Sequence, residues 1–194
     1  MTEINVPELL KAAGALQIGH FLLSSGKHSD TYVQCARLFQ QPDLAAQIMA
    51  VVVSQLEDVS FDLLCGPAMG GVIASYELAR QLKMESIFAE RQDGKMTFRR
   101  GFKINPGQRV LIVEDVVTTG KSSLECRELI ESLGGKVVGI ACVVNRSGRD
   151  QIEVPIFAAT TLSIATYEAE DVPDWLAAIP IDQPGSRFIQ TKKG

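Results

Sequence analysis

Histidine is nearly missing from this chain: His20 and His28 are the two it has in 194 residues. Cysteine is sparse and scattered, with Cys35, Cys65, Cys126 and Cys142 forming no C-x-x-C pair. A structural zinc site needs four clustered Cys or His ligands, and a Cys–His nucleophile needs both groups together, so neither is expected. Cys65 and Cys142 sit inside the apolar runs "FDLLC" and "GIACVV" and are expected as buried free thiols. A metal, if used, is then expected to be a hard cation held by oxygen. Long apolar runs are missing too; none approaches the ~20 residues that a membrane-spanning helix requires. There is no basic excess, since 19 Lys and Arg against 23 Asp and Glu leave a net charge of −4. No global field therefore draws the chain to nucleic acid or an anionic membrane. The opening "MTEINVPELL" lacks the basic flank and apolar core of a signal peptide, and the expected address is cytoplasmic.

What remains is ordinary for a soluble enzyme: 46% apolar and 22% charged residues. The length suits one domain, 1–194, with a sheet covered by helices. No repeat appears. "VPELLKAAGAL" and "PDLAAQIMAVVVSQL" have helical spacing, the second with Pro42 and Asp43 as start signals. "FDLLC", "SIFAE", "RVLIV", "KVVGIACVV" and "VPIFAAT" predict strands, with helices over "GVIASYELARQL" and 122–133. "PDWLAAI" predicts a short helix before a polar tail. Apolar strands alternating with helices imply a mostly parallel α/β sheet with helices on both faces. Ligands of such sheets gather beyond the carboxyl ends of the strands, where polar loops are expected after Cys65, Val113 and Val144.

One of these loops combines two chemistries. "VLIVEDVVTTGKSSLE" ends like a P-loop at Gly120, Lys121 and Ser122, but Asp115 stands where that motif needs its first glycine. A P-loop kinase is thereby excluded. Backbone N–H groups opening a helix, with the hydroxyls of Thr118, Thr119 and Ser122, make an anion cradle. Ser122 and Glu125 also fit a capping box, which can coexist with anion binding. Glu114 and Asp115 are poor company for phosphate but good acceptors for sugar hydroxyls, and they can orient metal-bound water. The combination suggests a phosphorylated sugar, its diol on the acidic pair and its phosphate on 118–122. "CGPAMGG", 65–71, follows a strand and precedes a helix; alone it is a tight turn, since it is not G-x-G-x-x-G.

"VLIVEDVVTTGKS" resembles the phosphoribosyl-diphosphate signature of the type I phosphoribosyltransferases. The resemblance implies that family's fold: a mostly parallel central sheet flanked by helices, with a small hood partly from the N-terminal segment, here 1–40. It implies Glu114 and Asp115 on the ribose hydroxyls and Val116, Val117, Thr118, Thr119, Gly120, Lys121 and Ser122 along the 5′-phosphate. Ala68, Met69 and Gly70 would then be the pyrophosphate loop; some relatives place a lysine where Gly70 stands. The basic run "ERQDGKMTFRRGFK" is a solvated hairpin on charge alone. In orotate phosphoribosyltransferases, a flexible loop there supplies a catalytic lysine to the neighbouring subunit. The comparison puts Lys95 at that lysine and Arg91 at the arginine before it, with Thr97 and Gln92 replacing a usual histidine and lysine. Arg99 and Arg100 are the substitutes.

The base is suggested by "HFLLSSGKHSDTY", whose "SSGKHSD" is a hairpin turn by composition. Its F-x-L-x-SG-x-x-S-x-x-Y pattern resembles the N-terminal signature of the orotate enzymes. That assigns Ser25, Gly26, Lys27 and Thr118 to orotate, with Ser24 in place of a common lysine. Arg146, in "VVNRSGRD", would meet the orotate carboxylate. The implied reaction joins orotate N1 to 5-phospho-α-D-ribosyl diphosphate, releasing pyrophosphate, with Lys95, Asp115 and Glu114 as catalytic groups. Mg²⁺ is the implied cofactor, held mainly by donor oxygens with Glu114 and Asp115 through water. The implied assembly is a homodimer in which loop 91–101 serves the neighbouring site. The rivals are a phosphoribosyltransferase for a purine or uracil, and a non-catalytic regulator of the same fold.

Overall fold

The computed structural model describes residues 4–23, 25–147 and 152–184. Ser24 and the polar tail beyond 184 lie outside the described residues. In chain order the elements are α1 (Val6–Ala12), β1 (Leu16–Leu22), β2 (His28–Val33), α2 (Ala36–Phe39), α3 (Pro42–Gln55), β3 (Leu63–Pro67), α4 (Gly70–Leu82), β4 (Ser86–Gln92) and β5 (Lys95–Thr97). There follow β6 (Arg109–Val117), α5 (Lys121–Ser132), β7 (Lys136–Asn145), β8 (Ile156–Thr161), β9 (Thr166–Tyr167), α6 (Asp174–Ala177) and β10 (Ile181–Asp182), with a 3₁₀ turn over Ala169–Asp171.

Six strands form the main sheet in the order β5-β4-β3-β6-β7-β8. All its pairings are parallel except the β4–β5 hairpin. Alternation along β6 explains why its sequence is apolar throughout. Leu111 and Val113 face α3 and α4, packing with Ile48, Met49, Val52, Ala74 and Leu78. Val110 and Ile112 face α5, packing with Cys65, Cys126, Ile130, Ile140 and Cys142. Each fully buried Leu or Ile of these layers contributes roughly 1.5–3 kcal/mol. Among the described residues no helix is long and apolar enough to cross a membrane.

The strand ends differ from expectation in one consequential way. β6 does not stop at Val113; it runs through the acidic pair to Val117, with Glu114 opposite Cys142 and Val116 opposite Val144. Two further β-branched residues keep the ladder going, so Glu114 and Asp115 sit on a rigid strand instead of a loop.

A second sheet, ordered β10-β1-β2-β9, lies apart from the first. From the N-terminal forty residues only the β1–β2 hairpin joins it; α1 and α2 put Val6, Leu10 and Leu38 into the main core. Its other two strands come from the C-terminal part of the chain. Both histidines are spent inside this sheet. His20 Nε2 lies 2.6 Å from His28 Nδ1, and His20 Nδ1 donates to the Ile179 carbonyl at 3.1 Å. The Ser29 hydroxyl donates to the Ala165 carbonyl at 2.8 Å, tying the hairpin to the chain entering β9.

Candidate active site

The carboxyl ends of β3, β6 and β7 converge on one place. Neighbouring residues of a strand point to opposite faces, so the acidic pair straddles β6. Asp115 turns toward α4: a Cβ added to Gly70 would stand 2.4 Å from its carboxyl carbon. Its Oδ1 accepts from the Val116 N–H at 2.8 Å. Glu114 is buried on the α5 side, between the Ser123 hydroxyl and the start of α4, where its Oε2 would be 3.3 Å from a Cβ on Gly71. Burial is the main cause that pushes the Glu114 carboxyl up to about 8, and the Asp115 charge adds to it. Asp115 is raised as well, by burial, with backbone N–H groups pulling the other way. Two desolvated carboxyls thus sit at one strand end, poised to receive hydroxyls or a cation.

Beside them the chain leaves β6 into Thr118 and Thr119, both exposed, and turns at Gly120, whose φ of +71° is left-handed. A Cβ there would also meet Ile152 at 2.6 Å, so the turn requires glycine twice over. The helix start is not the capping box the sequence suggested. Gly120 is the N-cap residue and has no side chain to cap with; the Thr119 hydroxyl instead accepts weakly from Lys121 N–H, at 3.4 Å. Glu125 points away to Arg91. The free N–H groups of this helix start remain directed at the loop. Val117 is buried and its carbonyl accepts from Arg146 N–H at 2.7 Å, while Val116 packs on the core, so neither side chain lines the loop.

Across β3, the Ala68 N–H donates to the Ala89 carbonyl at 2.7 Å, and the Ala68–Met69 peptide is cis. Met69 is 85% exposed. A lysine at Gly70 has no room, because Asp115 occupies the space its Cβ would need.

Arg146 follows β7 directly. Its Nε is buried with no hydrogen-bond partner among the described residues. Burial lowers its pKa, and the nearby Tyr32 of β2 works against that. Tyr32, stacked near Phe21 at 5.6 Å, is raised by burial and lowered by Arg146. This arginine therefore stands between the two sheets with an unused donor.

Three expected site cations lie elsewhere. Arg91 pairs with Glu125 on α5. Lys95 and Met96 border a cleft of about 430 Å³ with Glu125, Glu128, Leu129 and Ser132 on the flank of α5, away from the acidic pair. Lys27 pairs with Glu168 at 2.7 Å, beside the tight turn of Ser25 and Gly26. The substitutes are engaged too: Arg100 pairs with Glu90 and lies over the Phe88 ring at 5.1 Å, and Arg99 reaches Glu90 at 3.7 Å. Sequence reasoning missed Glu168 and gave Tyr32 and Glu125 no such role, although the first closes the F-x-L-x-SG-x-x-S-x-x-Y pattern and the second the S-x-x-E spacing.

No cluster of three or more His, Cys, Asp or Glu able to hold a metal occurs among the described residues. The two carboxyls of the acidic pair fit a cation that brings most of its oxygen ligands with it.

Comparison with known proteins gives relatives in sequence and in fold. The family model described as phosphoribosyl transferase domain matches residues 34–173. The chain is 46% identical, over 97% of its length and 100% of the relative's, to an orotate phosphoribosyltransferase from Caldanaerobacter subterraneus subsp. tengcongensis. It is similar in structure to orotate phosphoribosyltransferase from Aeropyrum pernix, with TM-score 0.69 and 25% identity over 81% of this chain and 93% of that one. The adenine phosphoribosyltransferase of Thermoanaerobacter pseudethanolicus shares the fold at TM-score 0.58 and 19% identity, over 68% of this chain and 88% of its own.

Proposed function

Since the chain belongs to the phosphoribosyl transferase family, we propose that it is an orotate phosphoribosyltransferase, forming orotidine 5′-phosphate and pyrophosphate in pyrimidine (UMP) biosynthesis. Its fold is that of the type I phosphoribosyltransferases. One observation carries the reading: a buried and a half-buried carboxyl stand at the end of β6, just before a Thr/Gly loop whose N–H groups open α5. A ligand with a diol at one end and a phosphate at the other satisfies both.

In this reading the loop 118–122 holds the 5′-phosphate, and Glu114 and Asp115 hold the ribose hydroxyls. Ala68, Met69 and Gly70 present backbone to the diphosphate. Displacement at C1′ builds positive charge on the sugar, which a carboxylate of the acidic pair stabilises across a short distance. Mg²⁺, bound by the donor's own oxygens with Glu114 and Asp115 through water, would offset charge on the leaving pyrophosphate. Arg146 supplies its unused Nε–H to the orotate carboxylate, Thr118 reaches the base from the loop after β6, and Ser25, Gly26 and Lys27 close the base site from the second sheet, which is the hood. Lys95 and Arg91 meet the diphosphate after the hairpin moves off α5, in the neighbouring subunit of a homodimer. The chain acts as one domain, 1–194, in the cytoplasm.

Ultraviolet absorbance of purified protein with orotate, the donor and Mg²⁺ tests the reading. Loss of orotate absorbance that needs both donor and metal, with orotidine monophosphate as product, supports it. Donor consumption with adenine, a purine or uracil but not orotate would transfer the activity to another base. Donor binding without turnover on any base would point to the regulator.

A further inference from the structure

Arg91 is assigned above to the donor's phosphates, yet in this structure it is already paired. Its guanidinium meets Oε2 of Glu125 as an ion pair, and that atom is sealed from solvent with no hydrogen bond among the described residues. The contact joins the end of β4 to α5, and Lys95 and Met96 continue along the same helix. Glu125 lies one helical turn past Lys121, so the arginine rests roughly 6 Å along the axis from the loop that would hold a phosphate. Both side chains are partly exposed, at 40% and 26%. An ion pair so placed is weak enough to yield. A phosphate offers the same fork geometry with more charge and more acceptors than a carboxylate, so exchange runs toward the ligand.

Resting on the reading of Arg91 as a donor contact, we infer that Glu125 is a positioning residue that stands in for the donor's phosphate. It holds Arg91 on α5 while the site is empty and surrenders it when the donor arrives. Donor affinity is then set by competition between this carboxylate and the ligand. In a shared site the same exchange carries the hairpin from its own α5 to the neighbour's donor.

Calorimetric titration of 5-phospho-ribosyl diphosphate with Mg²⁺ into the full chain tests this in five variants. Glu125→Gln should tighten donor binding about two- to fivefold, the worth of a half-exposed ion pair. Glu125→Ala should move it in the same direction. Arg91→Gln should weaken binding, and adding Glu125→Gln to it should change nothing further. Glu128→Gln, one turn-face away without an arginine partner among the described residues, separates this from a general loss of negative charge. Equal or weaker binding in Glu125→Gln overturns the inference, as does an equal gain without Arg91 or with Glu128→Gln. Wild-type protein that binds no donor at all overturns the underlying reading and the inference with it.

Discussion

Glu114 keeps its proton at a pH where a surface glutamate would have lost it. Its folded carboxyl titrates near 8, above its ordinary value of 4.5, mainly because burial penalises the charge. A raised folded pKa stabilises the fold fully below the ordinary value, and this contribution is lost as pH rises through the folded one. The window is therefore about pH 4.5 to 8. Glu114→Gln carries no charge to desolvate and escapes the loss. Its stability relative to wild type should rise from pH 5 to pH 9 by on the order of a few kcal/mol. Denaturant melts of both proteins across that range check it, and parallel curves would show that Glu114 is solvated after all. The same environment prepares the site: an arriving cation or sugar hydroxyl replaces water that the carboxyl has already given up.

At the scale of elements, the site is made by α4 and α5 starting on opposite sides of one strand end. The approach of α4 to β6 leaves no room for a side chain at its first residue, where a Cβ would collide with the Asp115 carboxylate. Gly70→Ala should therefore cost about 1–3 kcal/mol of stability, as forced overpacking does, and weaken the donor more than the base. A thermal melt with paired titrations decides it; an unchanged melt would mean the α4 start has slack. Much of this was legible beforehand, because strand, acidic pair, Thr/Gly loop and helix follow one another within sixteen residues. β6 overran its expected end since "EDVV" looks polar locally, while its pairing with β7 is decided by residues 28 positions away. The partners of Arg91 and Lys27 were not legible for the same reason: Glu125 and Glu168 reach them only through tertiary packing. The two-residue strands β9 and β10 are too short to show any periodicity, so the C-terminal half of the hood was hidden.

On the whole-molecule scale, the separation of Lys95 from Glu114 and Asp115 is the feature to explain. The acidic pair belongs to the rim of the main sheet, whereas Lys95 lies on the flank of α5 and borders a cleft there. A catalytic lysine in that position reaches a donor either by swinging back to its own rim or by serving a second copy. Subunit mixing separates the two. Lys95→Ala and Asp115→Asn should each be nearly inactive alone, with Lys95→Ala lowering turnover much more than donor affinity. In a two-fold dimer with crossed loops, a mixed pair rebuilds one site from the intact Asp115 of one protomer and the intact Lys95 of the other. Random mixing in equal amounts makes half of the dimers mixed, so activity should recover to about a quarter of wild type. A loop that serves its own rim gives no recovery, because every site then keeps one lesion. Verified mixed dimers without recovery would therefore place Lys95 back on its own subunit, and the hairpin's exchange from Glu125 to the donor would be completed within one chain.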